Sequence, residues 1–123
     1  MTDNRSIVED FADLFYGRRR VREAFERHVS RNYIQHNPGL IDGPDAALEM
    51  LEPMFARASA RFEVKRILVD GDLAAVHLFG CGDPSTPGAA VVDLYRLEDG
   101  KIVEHWDVIQ PMPESSINPH PMF

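Results

Sequence analysis

The spacing of apolar residues changes once along the chain. Ile7, Val8, Phe11, Leu14 and Phe15 fall three and four apart, which predicts an amphipathic helix over residues 4–16. Val21, Ala24, Phe25, His28 and Val29 repeat the pattern for a second helix, with Gly17 as the break between the two. Pro44, just after Asp42-Gly43, suits the first turn of a third helix. Its buried stripe would be Ala47, Leu51, Met54, Phe55 and Ala58. Pro53 falls inside that stripe and is expected to kink or shorten the helix.

From Arg61 the period is two. Residues 61–69 and 73–80 read as a hairpin around Asp70-Gly71, and residues 89–97 and 101–109 as a second around Asp99-Gly100. Asp-Gly suits the positive φ angles of a two-residue turn. In the simplest register Leu97 faces Ile102, Tyr95 faces Glu104 and Asp93 faces Trp106. Val91, Asp93, Tyr95, Leu97, Ile102, Glu104, Trp106 and Val108 would then share one face, with His105 on the other. By the same logic Val64 faces His77, which puts His77 on an apolar face with Phe62, Val64, Leu68, Leu73 and Phe79. Residues 81–88, CGDPSTPG, read as a loop. The domain proper is expected over residues 1–110, and residues 111–123, with four of the nine prolines, form a tail without regular structure. Three helices followed by an antiparallel meander is an α+β layout. A bent sheet wrapped around helices can enclose a cone-shaped cavity.

Composition narrows the function classes. A chain of 123 residues with 44% hydrophobic and 27% charged residues suits one ordinary globular domain. A net charge of -7 argues against general binding to nucleic acid or to an anionic membrane. No apolar run approaches the roughly 20 residues of a membrane span, and the start MTDNRSIVED lacks the layout of a signal peptide. A single cysteine, Cys81, permits no internal disulfide. A cytoplasmic protein is expected.

Asp93 is the sharpest candidate for chemistry. A lone carboxylate beside Tyr95 on an apolar sheet face is costly to bury unless it is paired, hydrogen-bonded or protonated. In a cavity such a group can accept and return protons at working pH. On a solvent-exposed face, or paired with a cation, it would do nothing chemical. The segment YIQHNP offers Tyr33, Gln35, His36 and Asn37 within five positions, and Pro38 holds Asn37 extended. An ordinary capped turn would use the same residues. His77 is either a satisfied core histidine or a proton relay. Trp106 is either core filler or a flat wall for a ligand. His36, His77 and His105 lack metal-ligand spacing, GCG at 80–82 lacks a phosphate-loop context, Ser115-Ser116 lacks that of a nucleophile elbow, and Cys81 has no cationic neighbour in sequence.

YIQHNP at 33–38, Asp42-Gly43 before the third helix and DLYRLEDGKIVEHWDVIQ at 93–110 together resemble the SnoaL-like group of the NTF2-like superfamily. The resemblance covers the chain up to about residue 110. It implies a conical α+β barrel with a deep cavity, homodimeric through the sheet. It also implies intramolecular aldol chemistry without metal or organic cofactor, as in the polyketide cyclases of the group. Asp93 matches their catalytic acid/base aspartate and His77 their assisting strand histidine. His36 would polarise the carbonyl, while Tyr33, Gln35, Asn37, Tyr95 and Trp106 shape the pocket. The ligand would be small and apolar or carbonyl-containing, the reaction a cyclisation or isomerisation. Isomerases of the superfamily carry a carboxylate near the position of His36-Asn37, and limonene-type epoxide hydrolases an arginine where Val91 stands; neither is present. A module that binds small molecules without chemistry, or one that only dimerises, is the alternative.

Overall fold

The computed structural model describes residues 3–123. Helix α1 spans Asn4–Ala12 and continues into a π-helical turn, Asp13–Gly17. Asp3 caps α1 by accepting from the Ser6 amide at 2.8 Å. Helices α2, Val21–His28, and α3, Pro44–Ala56, follow, and strand β1, Val29–Gln35, lies between them. The second half is β2, Arg61–Asp70; β3, Leu73–Cys81; β4, Ala89–Glu98; and β5, Lys101–Pro111. Pro53 does not stop α3, which runs three residues past it to Ala56. A proline removes one backbone bond, and packing of the apolar face of α3 offsets that loss.

The five strands form one sheet in the order β1-β5-β4-β3-β2. The meander is antiparallel as its alternation and turns predict, but β1 pairs parallel with β5, so the sheet is mixed. The YIQ part of YIQHNP is thus strand rather than turn. The three helices lie on one face. Phe11, Leu14, Val8, Val76 and Ile102 are buried to within 2% between helices and sheet. An aromatic stack runs through this core: Phe11 on Phe15 at 5.2 Å, Phe15 on Phe55 at 4.7 Å and Phe55 on Phe62 at 3.9 Å between centroids.

Both hairpins carry bulges that the period-two pattern does not reveal. Asp99 and Gly100 take the expected positive φ angles, 51° and 80°, and Leu97 faces Ile102. Beyond that pair, Arg96 faces Glu104, so Val103 is an extra residue on β5. In the first hairpin Asp70 faces Leu73, which centres the turn on Gly71-Asp72, and Lys65 is the extra residue between Val64 and Arg66. Phe62 and Val64 therefore face Gly80 and Leu78 toward the core, whereas His77 faces Arg66 on the outside. After Pro111 the chain has no helix or strand, and its last ring, Phe123, lies 5.3 Å from Phe79 on the outer face of the sheet.

Candidate functional site

Helix and sheet separate at one end of the core and leave a cavity of about 180 Å³. Its apolar walls come from α3 (Ala47, Met50, Leu51, Met54, Phe55), from Phe62, Leu78 and Val91, and from Leu40 and Ile109. Its polar groups converge from four places: Tyr16, Tyr33 with Gln35 and Asn37, Asp93 with Tyr95, and His105 with Asp107.

Local structure explains each position. The π-helical turn, closed by an Arg18 amide to Asp13 carbonyl bond of 2.7 Å, turns three consecutive residues, Leu14, Phe15 and Tyr16, into the interior. Alternation along β1 sends Tyr33 and Gln35, and Asn37 just beyond, inward, and sends Ile34 and His36 outward. The loop after β1 folds back on it: Asp42 accepts from the Gln35 amide at 2.9 Å, and the Gly43 amide donates to the Tyr33 carbonyl at 2.8 Å. The bulge at Val103 places Asp93 opposite Asp107 and Tyr95 opposite His105. Residues directly opposite in an antiparallel pair share a face, so β5 presents His105 and Asp107 to the cavity and turns Glu104 and Trp106 away.

Asp93, Tyr95, Tyr33, Gln35 and Asn37, all singled out in the sequence, line the cavity. His36, His77 and Trp106 do not. His36 stacks flat on Trp106, with centroids 4.8 Å apart, and its Nε2 lies 2.7 Å from Glu104 Oε2 on the outer face of the sheet. His77 bonds the Arg66 guanidinium, also outside. Three other residues take their place: Tyr16 and Asp107, which the sequence did not offer, and His105, which the simplest register had put on the opposite face. The pair His105 and Asp107 had one legible signal, a spacing of two that commits both to one face.

The hydrogen bonds fix the placement of protons. Gln35 Oε1 accepts from the Asn37 amide at 2.9 Å, so the side-chain oxygen, not the nitrogen, points at His105 Nδ1, 2.7 Å away. Nδ1 must then carry a hydrogen. His105 Nε2 lies 2.9 Å from Asp93 Oδ1, so one further proton lies between imidazole and carboxyl. The pair holds either a neutral imidazole with a carboxylic acid or an imidazolium with a carboxylate. Tyr16 donates to the other oxygen, Asp93 Oδ2, and the Tyr95 hydroxyl, 2.7 Å from that of Tyr16, is left to donate to it. Asn37 accepts from the Gly39 amide at 2.8 Å and donates to Asp107 Oδ2 at 2.8 Å.

Burial, and after it the negative charge of Asp93, pushes the phenols of Tyr16, Tyr33 and Tyr95 well above the ordinary tyrosine range. They remain protonated donors at any working pH. Asp93, His105 and Asp107 also place one ligand atom each within 4.8 Å of one another, a grouping that could hold a metal ion. With Nδ1 committed to Gln35, Nε2 is the nitrogen that would ligate. The wide sequence spacing of His36, His77 and His105 gave no hint of this set.

Comparison with known proteins agrees with the fold. The family model described as "SnoaL-like domain" matches residues 8–105. The chain belongs to that family. The SnoaL-like chain is similar in fold to an NTF2-like protein of unknown function from Cytophaga hutchinsonii, with a TM-score of 0.72 at 18% identity over 90% of this chain and 93% of the other. It is similar to a SnoaL-like polyketide cyclase from Agrobacterium tumefaciens, with a TM-score of 0.69 at 20% identity over 89% and 93%. TsrD of Streptomyces laurentii gives 0.69 at 18% identity over 88% and 91%. No curated protein sequence matches the chain. Among the described residues, no helix of this SnoaL-like domain is long and apolar enough to cross a membrane.

Proposed function

We propose that this SnoaL-like domain is an enzyme of acid/base chemistry next to a carbonyl, acting without an organic cofactor in its apolar cavity. The observation that carries this reading is the Asp93–His105 pair, which shares one proton at the polar end of a cavity whose other walls are hydrocarbon. The carboxylate form of the pair removes a proton from the carbon beside the carbonyl. The carbonyl oxygen becomes an enolate oxygen, to which the Tyr33 hydroxyl and the Gln35 amide nitrogen are the available donors. Return of the proton to another carbon completes an isomerisation. Attack of the enolate carbon on a second carbonyl within the same molecule completes an aldol closure, and the proton goes to the new alkoxide. The roles first assigned to His36 and His77 pass to Gln35 and His105, because only the latter two reach the cavity.

Proton abstraction is visible without knowledge of the substrate, as uptake of deuterium from heavy water into small cyclic ketones followed by NMR. The wild-type protein is expected to accelerate exchange. Asp93→Asn should lose about 10²–10⁴-fold of it, the usual contribution of a positioned acid/base, with its fold intact. Full exchange in that variant, or none in the wild type with a ketone that binds, would refute the enzyme and leave a binding module.

The outer face of the sheet supports a second copy as partner. Leu68 and Val108 are 63% and 61% exposed there, beside an apolar groove of about 460 Å³ that reaches Trp106. Light scattering on Leu68→Lys is the test; a monomer is expected where the wild type is dimeric, and a monomeric wild type would sink this pairing.

A further inference from the structure

Charge and volume in the cavity define the ligand more narrowly than the reaction class does. None of the residues that line it is a lysine or an arginine. Beside three phenols that stay protonated, its chargeable groups are two carboxyls, Asp93 and Asp107, and one imidazole, His105, with a ligand atom of each within 4.8 Å of the others. The shared proton makes the Asp93–His105 pair neutral as a unit, so a ligand carboxylate or phosphate would find no uncompensated positive charge there and would bring its own negative charge against Asp107. The desolvated setting leaves such repulsion little screened. No backbone amide cluster offsets it: the nearby Gln35, Asn37 and Gly39 amides are taken by Asp42, Gln35 and Asn37 side-chain oxygens.

Size sets the second limit. An apolar cavity of roughly 150 Å³ accommodates one benzene ring, and pockets for larger, drug-sized ligands run from about 300 Å³ upward. The 180 Å³ here matches one ring with a few substituent atoms and falls short of the volume of a fused polycycle. On the aromatic side the wall is braced, because Phe55 and Phe62 stack face to face at 3.9 Å and Phe55 also stacks on Phe15.

We infer that the ligand of this cavity is an uncharged, single-ring or equally small carbonyl compound, and that anionic molecules and fused polycyclic ones are rejected. This rests on the reading of the cavity as a carbonyl site, and its test is binding rather than turnover. The full chain, labelled with nitrogen-15, is titrated with cyclohex-2-enone, with cyclohex-1-ene-1-carboxylate and with the tricyclic ketone fluorenone. Amide shifts at Asp93, Tyr95 and His105 report occupancy.

The enone is expected to bind about a hundredfold more tightly than the carboxylate, and fluorenone is expected not to move these amides. Asp107→Asn keeps an oxygen for the Asn37 donor while it removes one negative charge, and should narrow the enone-to-carboxylate ratio about tenfold. Equal affinity for enone and carboxylate, an unchanged ratio in Asp107→Asn, occupancy by fluorenone, or no shift with the enone would each overturn the inference. Enone binding without deuterium exchange would refute the proposed chemistry and leave this inference standing. Exchange with anionic or polycyclic ketones would do the reverse.

Discussion

Raising the pH tests the interior of the site without any ligand. The chain has three tyrosines, and all three, Tyr16, Tyr33 and Tyr95, line the cavity. Each is pushed well above the ordinary value of 10.0, first by burial and next by the Asp93 charge. A raised acid constant in the folded state means that the folded protein keeps a proton that the unfolded chain gives up. The associated stability is complete below pH 10 and is lost as pH climbs from there toward the folded values. Each proton contributes a slope of about 1.4 kcal/mol per pH unit. Three tyrosines together should therefore cost about 4 kcal/mol for every unit above pH 10, enough to consume a typical domain stability of roughly 5–15 kcal/mol within a few units. The assay is the ultraviolet absorbance of tyrosinate, recorded beside urea unfolding at the same pH values. The native protein should show no tyrosinate at pH 10.5–11, where the urea-unfolded chain is largely ionised (about pH 10 midpoint). All three should then appear together as the protein unfolds. With no tyrosine elsewhere there is no background to confuse the reading. A native-state tyrosine that titrates near pH 10 would refute the closed, hydrogen-bonded cluster described here.

Tyr16→Phe removes the hydroxyl that bridges Asp93 and Tyr95, leaves two buried groups short of a partner, and should cost about 2–4 kcal/mol in urea unfolding. His36→Phe should leave ketone exchange unchanged while His105→Phe abolishes it; equal effects would return the cavity role to His36. The bond to His36, then that to Arg96, holds the Glu104 carboxyl below its usual value, so its contribution is present above about pH 4.5 and lost as pH falls through the lowered folded value. His36→Phe should accordingly flatten the acid limb of the stability curve, and an unaltered limb would contradict that linkage. Gly88→Ala places a Cβ 2.8 Å from the Gly80 carbonyl at a φ of +85°, and should cost about 1–3 kcal/mol by thermal unfolding.

Local rules carried the element pattern. Helical spacing, the Gly43-Pro44 start of α3 and the Asp99-Gly100 turn depend on neighbours within a few residues, and they appear where the sequence puts them. Strand β1 escaped because seven residues of mixed polarity hold together only through parallel pairing with β5, seventy positions away in sequence at Gln35 and His105. The site divides in the same way. Asp93 was legible because a carboxylate amid apolar residues is anomalous wherever the strand lies. Its partners were not legible, because a strand has a period of two and one bulge reverses every later side chain. The extra residue at Val103 exchanged Glu104 and Trp106 for His105 and Asp107, and the one at Lys65 detached His77 from Phe62 and Val64. The sequence by itself determined the fold class, the family and one catalytic candidate. Tertiary structure alone decided which residues meet that candidate, since a bulge is set by how the twisted sheet wraps its helices rather than by the residues beside it.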